Sequence, residues 1–129
     1  MIPNAVEEVF RYEAPAPQIA RSTSRNVELH GRTVPEGSVV MTIVGAANRD
    51  ERRFADAERF DIHRRIGHHL SLSYGAHFCL GASLARLEGR IVLEELLQRF
   101  PDWDVDMAQA RLAFTSVVRG WETLLETIG

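Results

Sequence analysis

Apolar and polar positions divide the chain into a helical start, a strand-rich stretch, an aperiodic middle and a second, longer helix. Ile2, Val6, Val9 and Phe10 fall on one helical face and Pro3 suits a first turn, which predicts a helix over residues 3–12. Ala14-Pro15-Ala16-Pro17 ends it, because a residue before proline is driven out of the α region. Strands are expected at residues 19–23, 27–30 and 39–44, with turns at Gly31-Arg32 and Pro35-Glu36-Gly37. Residues 48–70 keep no period and read as a short helix followed by a solvated meander rich in Arg, Asp and His. Leu80, Leu84, Leu87 and Ile91, extended by Leu96 and Leu97, predict the clearest helix, over residues 80–100, closed by Phe100-Pro101. Residues 112–118 and 122–125 read as a C-terminal hairpin around Arg119-Gly120.

Composition narrows this only a little. A chain of 129 residues, 45% hydrophobic and 26% charged, suits one globular domain, here taken as residues 1–129. A net charge of −3 gives no footprint for nucleic acid or an anionic membrane. No apolar run is long enough to span a bilayer, and the first residues lack the blocks of a secretory signal. One cysteine excludes an internal disulfide, and a cytoplasmic location is the expectation.

That cysteine carries the candidate chemistry. Gly75-Ala76-His77-Phe78-Cys79-Leu80-Gly81 puts Cys79 just ahead of the long helix, with Gly75 four residues before it and Gly81 two after. Backbone N–H groups and the dipole at a helix start stabilise an anionic sulfur. Glycines let a loop close around something flat. A thiolate on a haem iron needs both features. Two other readings of the same residues stand beside it. Cys79 could be a small buried hydrophobe, or a zinc ligand with His68, His69 and His77, although that spacing matches no common zinc motif.

The segment from His69 to Glu88 resembles the haem-binding loop of the cytochrome P-450 family, whose pattern Phe-Gly-x-Gly-x-His/Arg-x-Cys-x-Gly runs into a helix with Ala-x-x-Glu, here Ala85-Arg86-Leu87-Glu88. Glu8-Val9-Phe10-Arg11 is similar to the family's Glu-x-x-Arg. Arg59, in Asp56-Ala57-Glu58-Arg59-Phe60, matches the meander arginine of the same buried network. Asn48-Arg49-Asp50, followed by Phe54, resembles a segment of bacterial members. Read alone, Glu8 and Arg11 are an ordinary i,i+3 helix pair.

The resemblance implies an α+β part of a mainly α fold: the Glu-x-x-Arg helix, a small antiparallel sheet, the meander, the cysteine loop, a long proximal helix and a C-terminal hairpin. It implies haem b, with Cys79 as axial thiolate to the iron and His77 and Arg21 on the propionates. Gly75 and Gly81 would shape the loop, and Glu8, Arg11 and Arg59 would form the supporting network. It also implies oxygen insertion into a lipophilic substrate, bordered by residues 16–19 and Val117-Val118. Electrons would come from a ferredoxin or flavoprotein meeting the side that bears Arg86 and Arg90. Two positions depart from the family pattern: Leu72 and Ser73 stand where it has Phe-Gly. The resemblance covers the C-terminal third of a member, which leads us to expect a truncated frame, remnant, fragment or split protein. Its partner would be the missing N-terminal part or a second copy. The alternatives to an enzyme part are a haem-binding module and a non-catalytic remnant.

Overall fold

The first helix, α1 (Ile2–Tyr12), buries two charged residues along with its apolar face: Val6, Glu8 and Arg11 all point inward. In this computed structural model, which describes residues 1–115 and 117–128, α1 ends where Glu13 N–H bonds back to the Val9 carbonyl. The Pro15 and Pro17 segment then turns the chain into β1 (Ile19–Ser22).

The strands form separate pairs rather than one small sheet. β1 pairs antiparallel with β4 (Val39–Thr42), Ile19 opposite Thr42. β2 (Val27–Leu29) pairs with β3 (Arg32–Val34) across a two-residue turn at His30-Gly31. Both turn residues have positive φ, +48° and +75°, as the twist of a tight hairpin requires. The turn therefore lies one residue earlier than the expected Gly31-Arg32, and Arg32 begins a strand. The short helix is also shifted. It is α2 (Val44–Ala47), ahead of Asn48, because Gly45 N–H bonds to the Pro17 carbonyl and Val44 turns into the core.

Residues 48–74 form successive turns, and a single 3-10 turn (Gly75–His77) leads to the cysteine. The long helix α3 (Ala82–Arg99) starts two residues later than expected, since Leu80 and Gly81 belong to the loop and Gly81 is its N-cap. It packs on α1 through a small-residue face. A Cβ on Gly89 would stand 3.2 Å from Val6 Cγ1, so glycine permits the close approach. The stripe of Leu80, Leu84, Leu87 and Ile91 that defines this helix in the sequence is exposed.

At the C-terminus, β6 (Arg111–Leu112) pairs with β7 (Trp121–Thr123) through a register irregularity. The strand expected to run on to Val118 stops at Leu112. Ser116 within it lies outside the described residues. Outside this pair, β5 (Trp103–Val105) joins β8 (Glu126–Ile128), a pairing that the local pattern did not reveal. The apolar core is small: Val6, Ala14, Val44, Phe54, Ala57, Leu72 and Ala82. No helix among the described residues is long and apolar enough to cross a membrane.

Candidate functional site

A polar framework begins at Glu8 and Arg11, both 0% exposed. Arg11 Nε and Nη2 donate to the two Glu8 carboxylate oxygens at 2.7 and 2.8 Å. Its Nη1 donates to the carbonyls of Asn48 and Ala57 at 2.9 and 2.8 Å, and Nη2 to that of Arg59 at 3.2 Å. Arg59 thus enters through its main chain, while its side chain is exposed. The meander arginine that reaches Glu8 is Arg64, with Nε 3.3 Å from Oε1 and further bonds to the carbonyls of Ala55, Asp56 and Arg59. This corrects the assignment of Arg59. The meander folds so that residue 59 turns outward and the next arginine on the inner side is Arg64. Burial alone would raise the Glu8 carboxyl, but the bonds from Arg11 and from Asp61 N–H outweigh it and hold Glu8 below the usual carboxylate range.

Asn48 carries the framework to the cysteine loop. It is fully buried; its Oδ1 accepts Leu70 N–H at 2.8 Å and its Nδ2 donates to Ser71 Oγ at 2.7 Å. Ser71 Oγ donates in turn to the Phe10 carbonyl on α1. From there Leu72 is buried, and its carbonyl accepts Cys79 N–H at 2.9 Å, which closes the loop on itself. Ser73 has φ +62° and Gly75 has φ +63°. Glycine suits Gly75, whereas Ser73 holds a left-handed conformation that opposes its Cβ.

Cys79 is an exposed free thiol. Its carbonyl accepts Ala82 N–H at 3.2 Å, which joins it to the first turn of α3. Gly81 does not need a positive φ. A Cβ there would lie 3.9 Å from Cys79 Sγ, an ordinary van der Waals contact, so the packing does not require glycine at this position. Leu80 and Phe78 on either side of the cysteine are exposed, Leu80 entirely. Arg21 on β1 and His77 on the 3-10 turn, distant in sequence, line one cleft of about 190 Å³ with Ile19, Thr42, Val44, Leu70, Ser73 and Tyr74. No group of three or more His, Cys, Asp or Glu among the described residues is arranged to hold a metal ion, so the four residues of the zinc reading do not converge.

The two segments expected to border a substrate are neighbours. Arg119 N–H donates to the Pro15 carbonyl at 2.8 Å and the Arg119 side chain bonds Glu13, beside exposed Val117 and Val118. On α3, Arg86 is half-buried and paired with Glu7, and Arg90 lies 3.7 Å from Glu94. Neither arginine is an unpaired cation. Sequence reasoning did not assign roles to Glu7, Arg64 or Ser71, and considered His69 only as a zinc ligand. Their residue types carry no period and no local motif, and each acts through a partner tens of residues away.

The family model for cytochrome P-450 matches residues 1–116. Putative cytochrome P-450 140 of Mycobacterium bovis is 47% identical over 128 residues, which is 98% of this chain and 29% of that protein. The 6-deoxyerythronolide B hydroxylase of Saccharopolyspora erythraea is 47% identical over 100 residues, 78% of this chain and 25% of the hydroxylase. The crystal structure of P-450BioI in complex with hexadec-9Z-enoic acid-ligated acyl carrier protein superimposes with a TM-score of 0.92 at 41% identity, covering 99% of this chain and 33% of that one. The chain spans about a third or less of the length of these relatives. It therefore belongs to the cytochrome P-450 family, of whose fold it carries the part from the buried Glu8–Arg11 pair through the cysteine loop to the long helix beyond.

Proposed function

We propose that residues 1–129 are one part of a larger domain, the haem-thiolate portion of a cytoplasmic monooxygenase that inserts one oxygen atom from O₂ into a lipophilic substrate. The observation that carries this reading is Cys79. It is an exposed thiol on a loop tied to the N-terminus of α3, with apolar Leu80 beside it and the cationic Arg21 side chain in a nearby cleft with His77. The family implies a haem cofactor, and this donor set fits one. Cys79 supplies a soft anionic ligand, Arg21 and His77 supply partners for two propionates, and Leu80 and Phe78 offer apolar contact to a macrocycle. Haem b bound there would supply the redox-active iron on which dioxygen is activated, and the thiolate would push electron density toward it.

The chain's own residues do the holding. Leu72 and Ala82 hold the Cys79 main chain through its N–H and its carbonyl. The Glu8–Arg11 framework and Asn48 hold the loop against α1. Residues 16–19 with Val117 and Val118 would border the substrate. Electrons would come from a ferredoxin or flavoprotein, and the remaining two thirds of the fold from an N-terminal part of the protein. The hydroxylase among its relatives is named for 6-deoxyerythronolide B, and a structural neighbour is in complex with hexadec-9Z-enoic acid-ligated acyl carrier protein, whose long acyl chain supports a lipophilic substrate class here.

Titrating the purified chain with haem and recording the reduced, carbon monoxide-bound spectrum tests the reading. A thiolate-type Soret band is expected for the wild type and its loss for Cys79→Ser; identical spectra for the two would overturn it. Substrate-dependent oxidation with an added electron donor then separates a monooxygenase part from a haem-binding module, or a self-associating copy, without oxygenase activity.

A further inference from the structure

One carboxylate closes the span that carries the cysteine. Glu7 follows a different course from its neighbour Glu8, reaching α3 rather than the meander. Its Oε1 accepts Arg86 Nε at 2.5 Å, and its Oε2 accepts Arg86 Nη2 at 3.1 Å and lies 3.0 Å from His69 Nε2. Arg86 sits near the start of α3 and His69 at the entrance of the loop, so Glu7 gathers the two ends of residues 69–86, with Cys79 between them.

The His69 ring is buried and packs against Phe10 with centroids 5.9 Å apart. Its Nδ1 accepts Ser71 N–H at 3.2 Å, which leaves the proton on Nε2 and makes the ring a donor to Glu7. Ser71 precedes Leu72, whose carbonyl holds Cys79 N–H. The Glu8–Arg11 framework reaches the loop entrance through Asn48, which bonds Leu70 and Ser71, but Arg11 spends its donors on Glu8 and on carbonyls of residues 48, 57 and 59, none of them on α3.

We propose that Glu7 is a positioning residue for Cys79: by joining His69 to Arg86 it locks the cysteine loop and the start of α3 in one register, and so sets the direction of the sulfur. The functional side of this rests on Cys79 being the haem ligand; the structural side does not. Amide hydrogen exchange on the haem-free chain reads the structural side directly. Glu7→Gln is expected to raise exchange at the Ser71 and Cys79 amides about tenfold or more, and to leave α1 amides beside Arg11 within about twofold. Glu7→Asp, which keeps the charge, should restore part of the protection. Glu94→Gln, which breaks the exposed Arg90 pair on the same helix, should change neither amide. Unchanged exchange at Ser71 and Cys79, or an equal rise throughout the chain, would overturn the proposal. With haem added, Glu7→Gln should convert part of the thiolate-type carbon monoxide band to a thiol-type band, and a band identical to wild type would overturn control of the sulfur. Failure of Cys79→Ser to alter the wild-type spectrum would instead sink the haem assignment, and the exchange result would still decide whether Glu7 holds the loop.

Discussion

Every N–H of the Arg11 guanidinium has an acceptor, and its carboxylate partner accepts further bonds from Asp61 N–H and Arg64. Bringing such a pair out of water is costly, so its burial adds little net stability by itself. Removing one member is another matter, because the other is left charged and dry. We expect Arg11→Ala to cost about 3–5 kcal/mol, read as a lower urea midpoint. Arg59→Ala should cost no more than about 0.5 kcal/mol, since only the Arg59 carbonyl takes part and any side chain leaves that in place. Equal costs would return the network role to the Arg59 side chain. The Glu-x-x-Arg spacing made Glu8 and Arg11 legible. Which meander arginine completes the set was not, because Arg59 and Arg64 differ in the local turn and not in chemistry.

At the level of elements, the cysteine loop is built on a local conflict. Ser73 takes a positive φ where the family pattern has glycine. A left-handed residue with a Cβ costs about 1–2 kcal/mol, and glycine returns about 0.4–1 kcal/mol of that through the freedom of the unfolded chain. Ser73→Gly is therefore expected to stabilise the chain by about 0.5–1 kcal/mol, measured by chemical denaturation; a loss of stability would show that Ser73 makes a compensating contact. The same glycine logic was visible in the sequence at Gly75 but misleading at Gly81, whose backbone is ordinary and where a Cβ would make only an ordinary contact with Sγ. For α3 the periodicity found the helix and its end, but not the face it packs. Ala85 and Gly89 line one groove with Val6, Val9 and Phe10 of α1, while Leu84, Leu87 and Ile91 are exposed. The β5–β8 pair was hidden for a simpler reason: its two strands are three residues each and lie at opposite ends of the C-terminal segment.

The molecule as a whole shows a small core and broad exposed apolar surface, from Leu80, Leu84, Leu87 and Ile91 to Phe114, Val117 and Val118. That surface matches a chain spanning about a third of the relatives it resembles. Its polar interior also gives it a pH dependence. Burial pushes His69 below its ordinary 6.5, against the pull of Glu7, and Glu7 and Glu8 are held below 4.5 by Arg86 and Arg11 despite desolvation. In each case the unfolded chain binds the proton more readily. The stabilisation is therefore complete above the unfolded values and is lost as pH falls through the folded ones. Stability should be level above about pH 7, decline from about 6.5 as His69 is charged, and fall again below about 4.5. His69→Gln should remove the first decline and keep the second; denaturation midpoints between pH 4 and 8 would show a decline unaltered by that variant if His69 were not its source.

The sequence by itself determined the elements whose signal is local. These are the first helix and its proline stop, most of the strands, the extent of the long helix, and a glycine-flanked cysteine at its start. It also held enough motifs in the family's order, Glu8–Arg11, Asn48–Asp50 and Gly75–Gly81 among them, to carry the resemblance to the family. Only the tertiary structure decided which charges are buried, which arginine meets Glu8, how Asn48 and Ser71 pin the loop, and that Glu7 joins its two ends. Those outcomes depend on contacts between residues far apart in the chain, where a polar side chain is worth what its desolvated partner makes it.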